Sequence, residues 1–171
     1  MTTLTIPTLT TERLTLRAHC ERDLPALTDF YGSDRSLYVG GPRDEWECWR
    51  TLTGYLGHWA LRGFGFWAVE NHAGDTVGSV GFIYSKGWYE PELGWHLYTG
   101  HEGKGYATEA TLAARAYGAL KLGLNGVISY IAHDNTRSIR MAEKLGATFE
   151  REGALFSKSC LIYRHPKEPV L

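Results

Sequence analysis

The stretch that most constrains the fold is a glycine-rich loop that runs from a predicted strand directly into a predicted helix. It reads HEGKGYATEA, from His101 to Ala110, and follows the alternating segment ELGWHLY. Glycine permits a tight turn there, and it also lets an anion approach the unpaired N–H groups and the positive dipole of a helix N-terminus. The spacing matches neither a P-loop nor a dinucleotide-binding motif. Phosphate binding and a purely structural turn therefore both remain open on local grounds.

The hydrophobic periodicity of the rest of the chain predicts the order β-α-α-β-β-β-α-β-α-β-β. The predicted strands are RLTLRAH, FWAVE, TVGSVGFIYS, ELGWHLY, GVISYIA and two closing strands within ATFEREGALFSKSCLIYRH. Four helices are predicted, and Asn135 is the expected N-cap of the last. This order indicates an α/β fold, a mixed sheet of about seven strands flanked by about four helices.

Composition indicates one domain, 1–171, with ordinary hydrophobic and charged content of 43% and 22%. A net charge of -1 gives no electrostatic signal for nucleic acid. The N-terminus does not resemble a signal peptide, and no apolar run approaches the ~18 residues of a membrane span. The 3 cysteines form neither a zinc motif nor a disulfide framework, so a cytoplasmic protein without a metal site is expected. Whether it forms a homodimer is left open.

Three segments resemble the GNAT superfamily of N-acetyltransferases. ELGWHLYTGHEGKGYATEA is similar to its acetyl-CoA-binding segment, and NTRSIRMAEKLGATFEREG is similar to the helix and strand that follow. TERLTLRAHCERDL resembles the start of the branch containing the ribosomal-protein N-terminal acetyltransferases. The matches span about Thr11 to Pro166, the expected core of the domain. The resemblance implies the GNAT fold, acetyl-CoA as co-substrate, and a primary amine of a protein N-terminus or a small molecule as acceptor.

The resemblance also assigns a cofactor site residue by residue. Backbone N–H groups of the loop would bind the pyrophosphate of acetyl-CoA, namely those of Gly103, Lys104, Gly105, Tyr106 and Ala107. The strand of Trp95, His96 and Leu97 would separate from its neighbour ISYIA, and its unpaired edge would hold the pantetheine arm. Asn135 would contact the pantetheine or acetyl region, although an Asn at this place can also serve only as a helix cap.

Two positions depart from the family pattern. Gly100 stands where the family usually has Gln or Arg, so Lys104 or a basic residue of the last helix would have to supply the missing phosphate contact. Ala142 stands where many members have a Tyr that protonates the leaving thiolate. Ser138 matches a Ser that is common in the N-terminal acetyltransferase branch, and the acid role would pass to it or to water.

The chemistry of acetyl transfer sets the demand for a base. At pH 7 about one α-amine in ten is neutral, against about one lysine in 2,500, so a lysine acceptor depends far more on a base. Glu92 is the first candidate, directly or through a water, and a solvated strand-end carboxylate is the alternative. Alternation places Glu92, Gly94 and His96 on one face, so one interpretation is a cavity that they share. The other is a His96 that is merely packed, which is the more common situation for a lone His on a strand. The N–H of Leu97 or a neighbour would hold the carbonyl oxygen.

Aromatic residues offer walls for an acceptor cleft. Trp88 and Tyr89 follow a glycine in a predicted loop, where exposure and function are expected. The tryptophans of the second predicted helix fit a core stripe better than a cleft wall: Trp46, Trp49 and Trp59. No cysteine falls within the motifs, so the amine is expected to attack acetyl-CoA directly in a ternary complex. The alternative is a non-catalytic acyl-CoA-binding or sensing module, which the missing Tyr favours.

Overall fold

One mixed sheet organises the chain in the computed structural model, which describes residues 4–169. The remaining five residues of the predicted 1–171 domain lie outside the described residues. The strands are β1 Leu9–Thr10, β2 Leu14–Arg17, β3 Phe66–Asn71, β4 Thr76–Ile83, β5 Glu92–Leu97, β6 Ile128–Ile131, β7 Thr148–Leu155 and β8 Lys158–Arg164. Their order is β1-β2-β3-β4-β5-β6-β8-β7. The predicted mixed sheet is confirmed, with the short β1 as an eighth strand.

Four α-helices flank the sheet, as predicted: α1 Leu24–Tyr31, α2 Glu45–Arg62, α3 Tyr106–Lys121 and α4 Thr136–Lys144. A 3₁₀ helix, Asp34–Val39, lies between α1 and α2. Local sequence signals explain the helix ends. Asp44 and Glu47 form a capping box at the start of α2, and Gly63 ends the helix with a φ of 75°.

Helices cover both faces of the sheet. Neighbouring strand residues point to opposite sides, so each face presents side chains against which a helix packs. Ala110 and Ala114 of α3 share one core cluster with Val80 of β4. The preceding residue of β4, Ser79, points to the other face. Its hydroxyl shares a hydrogen bond of 2.7 Å with the hydroxyl of Tyr98. Tyr98 packs in a second cluster with Leu27, Phe30 and Tyr31 of α1 and Cys48 of α2. The sheet is thus the middle of three layers.

The inner stripe of α2 differs from the prediction. Trp59 is buried, as expected, but Trp46 and Trp49 are 64% and 41% exposed. The side that packs inward follows Cys48, Leu52 and Trp59, which recur at helical spacing. Trp46 lies two residues before Cys48, about 200° away around the helix. The core interpretation is therefore wrong for Trp46 and Trp49.

Candidate active site

The site begins where β5 and β6 stop pairing. These two parallel strands are in register only at Glu92 and Ile128. Just beyond, side chains replace the backbone ladder: Ser129 donates its hydroxyl to the Leu93 carbonyl at 2.6 Å, and the N–H of Tyr130 donates to Glu92 Oε1 at 3.3 Å. The strands then diverge, leaving the edge of β5 free as the resemblance implies.

A cleft of about 550 Å³ occupies this gap. Its walls come from β5, from the loop before α3 and the start of α3, from the start of α4, and from α1 with the following 3₁₀ helix. The lining residues are Phe30, Asp34, Arg35, Tyr38, Val39, Trp95, His96, Leu97, Glu102, Gly103, Ala107, Asp134, Asn135, Thr136, Arg137, Ser138 and Met141. The structure thus brings Trp95, His96 and Leu97 together with Asn135 and Ser138, as predicted.

The glycine loop presents backbone N–H groups beside this cleft. Gly103 and Gly105 have φ values of 74° and 80°, in the left-handed region that glycine tolerates best. Gly105 is the N-cap residue of α3. Among residues 4–169, the N–H groups from Gly103 to Ala107 meet no protein hydrogen-bond acceptor. This end of the cleft therefore offers several free donors and a helix dipole to an anion.

A brace that the sequence did not reveal holds the loop in place. Arg13 donates from Nη1 to the Lys104 carbonyl at 2.8 Å and from Nε to Glu109 Oε2 at 2.7 Å. Thr11 donates to the same carboxylate at 2.6 Å. Burial acts to raise the pKa of Glu109, but the hydrogen bonds from Thr11 and Arg13 outweigh it and the pKa is lowered. Glu109 therefore stays charged, and the brace fixes the carbonyl of Lys104.

The start of α4 carries two predicted site residues. Asn135 Oδ1 accepts from the N–H of Ser138 at 3.2 Å, so Asn135 caps the helix as expected. Both side chains also line the cleft, as does Arg137, a basic residue of this last helix. Ala142, which replaces the family's Tyr, is fully buried in a core cluster with Ile131. That position faces the core and brings no polar group to the cleft.

The 3₁₀ helix Asp34–Val39 bounds the other side of the cleft. Arg35 forms an ion pair with Glu102 at 2.7 Å, linking this helix to the glycine loop. The hydroxyl of Tyr38 donates to the Asp134 carbonyl at 3.5 Å, linking it to the turn before α4. Sequence reasoning did not identify this wall, because its residues carry no motif and reach the site only through the fold.

His96 lines the cleft as a neutral side chain. Its ring stacks between Phe30 and Phe66, with centroid distances of 5.7 and 5.4 Å. Burial, followed by the positive charge of Arg43, lowers the pKa of His96 to about 4. Within the described part of the chain, its buried Nδ1 has no hydrogen-bond partner. His96 is too weakly basic to hold a proton at neutral pH.

Glu92 lies outside the cleft. Its Oε2 accepts from the indole N–H of Trp88 at 2.7 Å. Burial raises its pKa to about 7, against the opposing effect of the hydrogen bonds from Trp88 and Tyr130. The ring of Phe66 fills the space above Gly94, where a Cβ would lie 2.8 Å from Phe66 Cζ. The expected cavity shared by Glu92 and His96 is therefore wrong, because Phe66 stands between them.

Other candidate groups stay away from the cleft. Tyr89 is 71% exposed and does not line the cleft. The three cysteines are free and none lines the cleft: Cys20, Cys48 and Cys160. Residues 4–169 contain no cluster of His, Cys, Asp or Glu suited to a metal ion. None of the helices in the same range could span a bilayer.

Comparison with known proteins agrees with this geometry. Residues 13–148 match the acetyltransferase (GNAT) domain model. An acetyltransferase structure from Agrobacterium tumefaciens is 38% identical, with 98% of each chain covered and a TM-score of 0.88. The uncharacterized N-acetyltransferase p20 of Bacillus licheniformis is 29% identical over 86% of this chain and 85% of that protein. A ribosomal L7/L12 α-N-protein acetyltransferase in complex with coenzyme A shares the fold, at 17% identity, a TM-score of 0.73 and coverage of 94% and 98%. The chain belongs to the GNAT family of N-acetyltransferases, enzymes that use acetyl-CoA as acetyl donor.

Proposed function

We propose that this enzyme transfers the acetyl group of acetyl-CoA to a primary amine, of a small molecule or a protein N-terminus, by direct attack in a ternary complex. The observation that carries the proposal is the cleft between β5 and β6, which has free N–H donors at one end and an aromatic wall at the other. A linear thioester co-substrate and an amine acceptor would meet within it.

The free backbone N–H groups mark the end of the cleft that would bind acetyl-CoA. The N–H groups from Gly103 to Ala107 would bind the pyrophosphate, and the unpaired edge from Trp95 to Leu97 would bind the amides of the pantetheine arm. Lys104 is exposed and Arg137 lines the cleft, so either can supply the positive charge that Gly100 does not. Asn135 uses Oδ1 for the helix cap, which leaves its Nδ2 group to donate to the arm.

The transfer step needs no enzyme nucleophile. The amine nitrogen forms a bond to the thioester carbonyl carbon, the carbon–sulfur bond breaks, the sulfur takes up a proton and the nitrogen loses one. Cysteines lie outside the cleft, which favours direct attack over an acetyl-enzyme. The Ser138 hydroxyl lines the cleft beside Asn135, so we assign it the proton donation to the sulfur, alone or through a water that it orients.

Proton removal from the amine falls to Glu92 acting through water. Its pKa of about 7 suits a general base near neutral pH. It does not line the cleft, so a direct contact with the acceptor is not part of the proposal. His96 instead contributes a neutral aromatic wall. An α-amine is neutral often enough to react with this remote base, whereas a lysine side chain would depend on it strongly.

The test is acetyl-CoA-dependent thiol release across a panel of small primary amines and short peptides with free N-termini. Turnover with at least one acceptor, and acetylation of that amine detected by mass spectrometry, is expected. Saturable acetyl-CoA binding without turnover on any amine would instead support an acyl-CoA-binding module. Acetyl transfer to a protein side chain before acceptor is added would contradict direct attack.

A further inference from the structure

The tip of the β7–β8 hairpin carries an unexpected residue. Phe156 and Ser157 form its two-residue turn, with φ values of 49° and 62°. Turns with positive φ at both central residues strongly favour Asn-Gly, and a bulky side chain there is a conformational outlier. Phe156 is also 63% exposed. Neither the backbone conformation nor burial of the ring explains an aromatic residue at this tip. The residues that the Phe156 ring contacts are therefore the remaining explanation.

The ring of Phe156 packs against the loop between β4 and β5. Its centroid lies 5.1 Å from that of Trp88, at an angle of 81°. The preceding residue, Gly87, has a φ of 98°, and a Cβ there would lie 2.7 Å from Phe156 Cε1. Only glycine therefore allows the loop to approach the ring this closely. Both partners adopt unusual conformations at the point where they meet.

Trp88 connects this contact to Glu92. Its indole N–H donates to Glu92 Oε2 at 2.7 Å. The same loop is fixed at its other end by Glu90, whose carboxylate pairs with Arg164 of β8 at 2.7 Å. The β7–β8 hairpin thus contacts the loop at two points. At one of them the Phe156 ring packs against the Trp88 indole, which in turn donates to the Glu92 carboxylate.

We propose that Phe156 is a positioning residue for the catalytic base: its ring holds the Trp88 indole against the Glu92 carboxylate. This inference rests on the proposed role of Glu92. Besides Trp88, the backbone N–H of Tyr130 on β6 contacts Glu92, and the Tyr130 hydroxyl and the Cys160 thiol on β8 lie close enough to respond to the Glu92 charge. Burial first, with the Glu92 charge adding to it, raises the pKa of both groups, so both are neutral near pH 7. The indole hydrogen bond is then the adjustable contact of this carboxylate.

The test separates the ring from the turn. Phe156→Asn removes the ring but places a residue that tolerates left-handed backbone, so the hairpin should keep or gain thermal stability. Trp88→Phe removes the N–H donor, and Phe156→Tyr retains the packing. The pKa of Glu92 is read by ¹³C NMR titration of labelled glutamate, assigned with Glu92→Gln, and compared with the acidic limb of kcat/KM.

We expect Trp88→Phe to raise the Glu92 titration midpoint by about one pH unit, because it removes a hydrogen bond to the charged form. Phe156→Asn should raise it in the same direction, the double variant should add little to Trp88→Phe alone, and Phe156→Tyr should behave as the wild type. An unchanged or lowered midpoint in Phe156→Asn, or fully additive shifts, would overturn the positioning role. A shifted midpoint with an unmoved acidic limb would retain the contact and overturn Glu92 as the base.

Discussion

Replacing Gly105 with valine is the sharpest test of the glycine loop. Gly105 is the N-cap of α3 and has a φ of 80°, where an L residue costs about 1–2 kcal/mol and a β-branched one more. A Cβ there would lie 3.3 Å from Arg13 Nη2, so the guanidinium has to shift by only a few tenths of an ångström and can keep its hydrogen bonds to Lys104 and Glu109. We therefore expect Gly105→Val to fold with a modest loss of stability.

The effect on acetyl-CoA binding should be much larger. If the valine side chain or a shift of the loop removes two hydrogen bonds to the pyrophosphate, the loss is about 3 kcal/mol at about 1.5 kcal/mol for each charge-assisted bond. This corresponds to a roughly 150-fold rise in Kd. Lys104→Ala should cost only a few-fold, and less at high salt, since the side chain is exposed.

Gly123→Val is the matched control. Gly123 follows the other end of α3 with a φ of 68°, and no atom lies within 4 Å of where its Cβ would be. It bears the same backbone strain without touching the loop. Isothermal titration calorimetry with acetyl-CoA and urea unfolding should be run on both variants. Similar stability losses with weakened binding only in Gly105→Val are expected. Binding within threefold of the wild type in Gly105→Val would show that the loop is only a structural turn.

Three further outcomes follow from the site and its titrating groups. Ser138→Ala should lower kcat by about 10²–10⁴-fold in steady-state kinetics, while the acetyl-CoA affinity measured by calorimetry stays within a few-fold. An equal loss of kcat and affinity would make Ser138 a binding contact. Because the pKa of Glu92 is about 7, its base form exists mainly above pH 7. The ratio of the wild-type kcat/KM to that of Glu92→Gln should therefore be greatest above pH 7 and fall to one near pH 5. A ratio that stays constant across pH would remove Glu92 from proton transfer. Burial lowers the pKa of three histidines from 6.5 to about 4: His19, His96 and His165. Unfolded histidines bind protons first as pH falls below 6.5, so the free energy of unfolding should decrease from pH 6.5 towards pH 4, partly offset by Glu92, which takes up its proton in the folded state. A flat urea-unfolding free energy across that range would contradict their buried, neutral state.

The sequence by itself was sufficient for the fold and for the place of the glycine loop. Periodicity, turn residues and caps act over a few neighbouring residues, which is why the element order, the cap at Asn135 and the tight turn of the glycine loop were predictable. The resemblance of the motifs to the GNAT family added the expectation that the strand at Trp95 separates from its neighbour. The single registered pair of β5 and β6 agrees with that expectation.

Tertiary structure decided how the side chains near the reaction are arranged. Strand alternation correctly placed Glu92 and His96 on one face, but only the packing of Phe66 beside Gly94 shows that they do not share a cavity. Exposure of Trp46 likewise depends on which side of α2 meets the sheet.

The contacts that tune the site join residues far apart in the chain. Arg13 donates to the Lys104 carbonyl, and the Phe156 ring packs on Trp88. The two residues of each pair are too far apart in sequence for a local pattern to predict the contact. Burial acts in the same way on titration. A glutamate at a strand end has an ordinary pKa in the sequence, and only its burial in the fold raises that pKa to about 7, against the opposing hydrogen bonds from Trp88 and Tyr130. Desolvation is a property of the folded surroundings, and for this reason the chemistry of the site, unlike its location, required the three-dimensional structure.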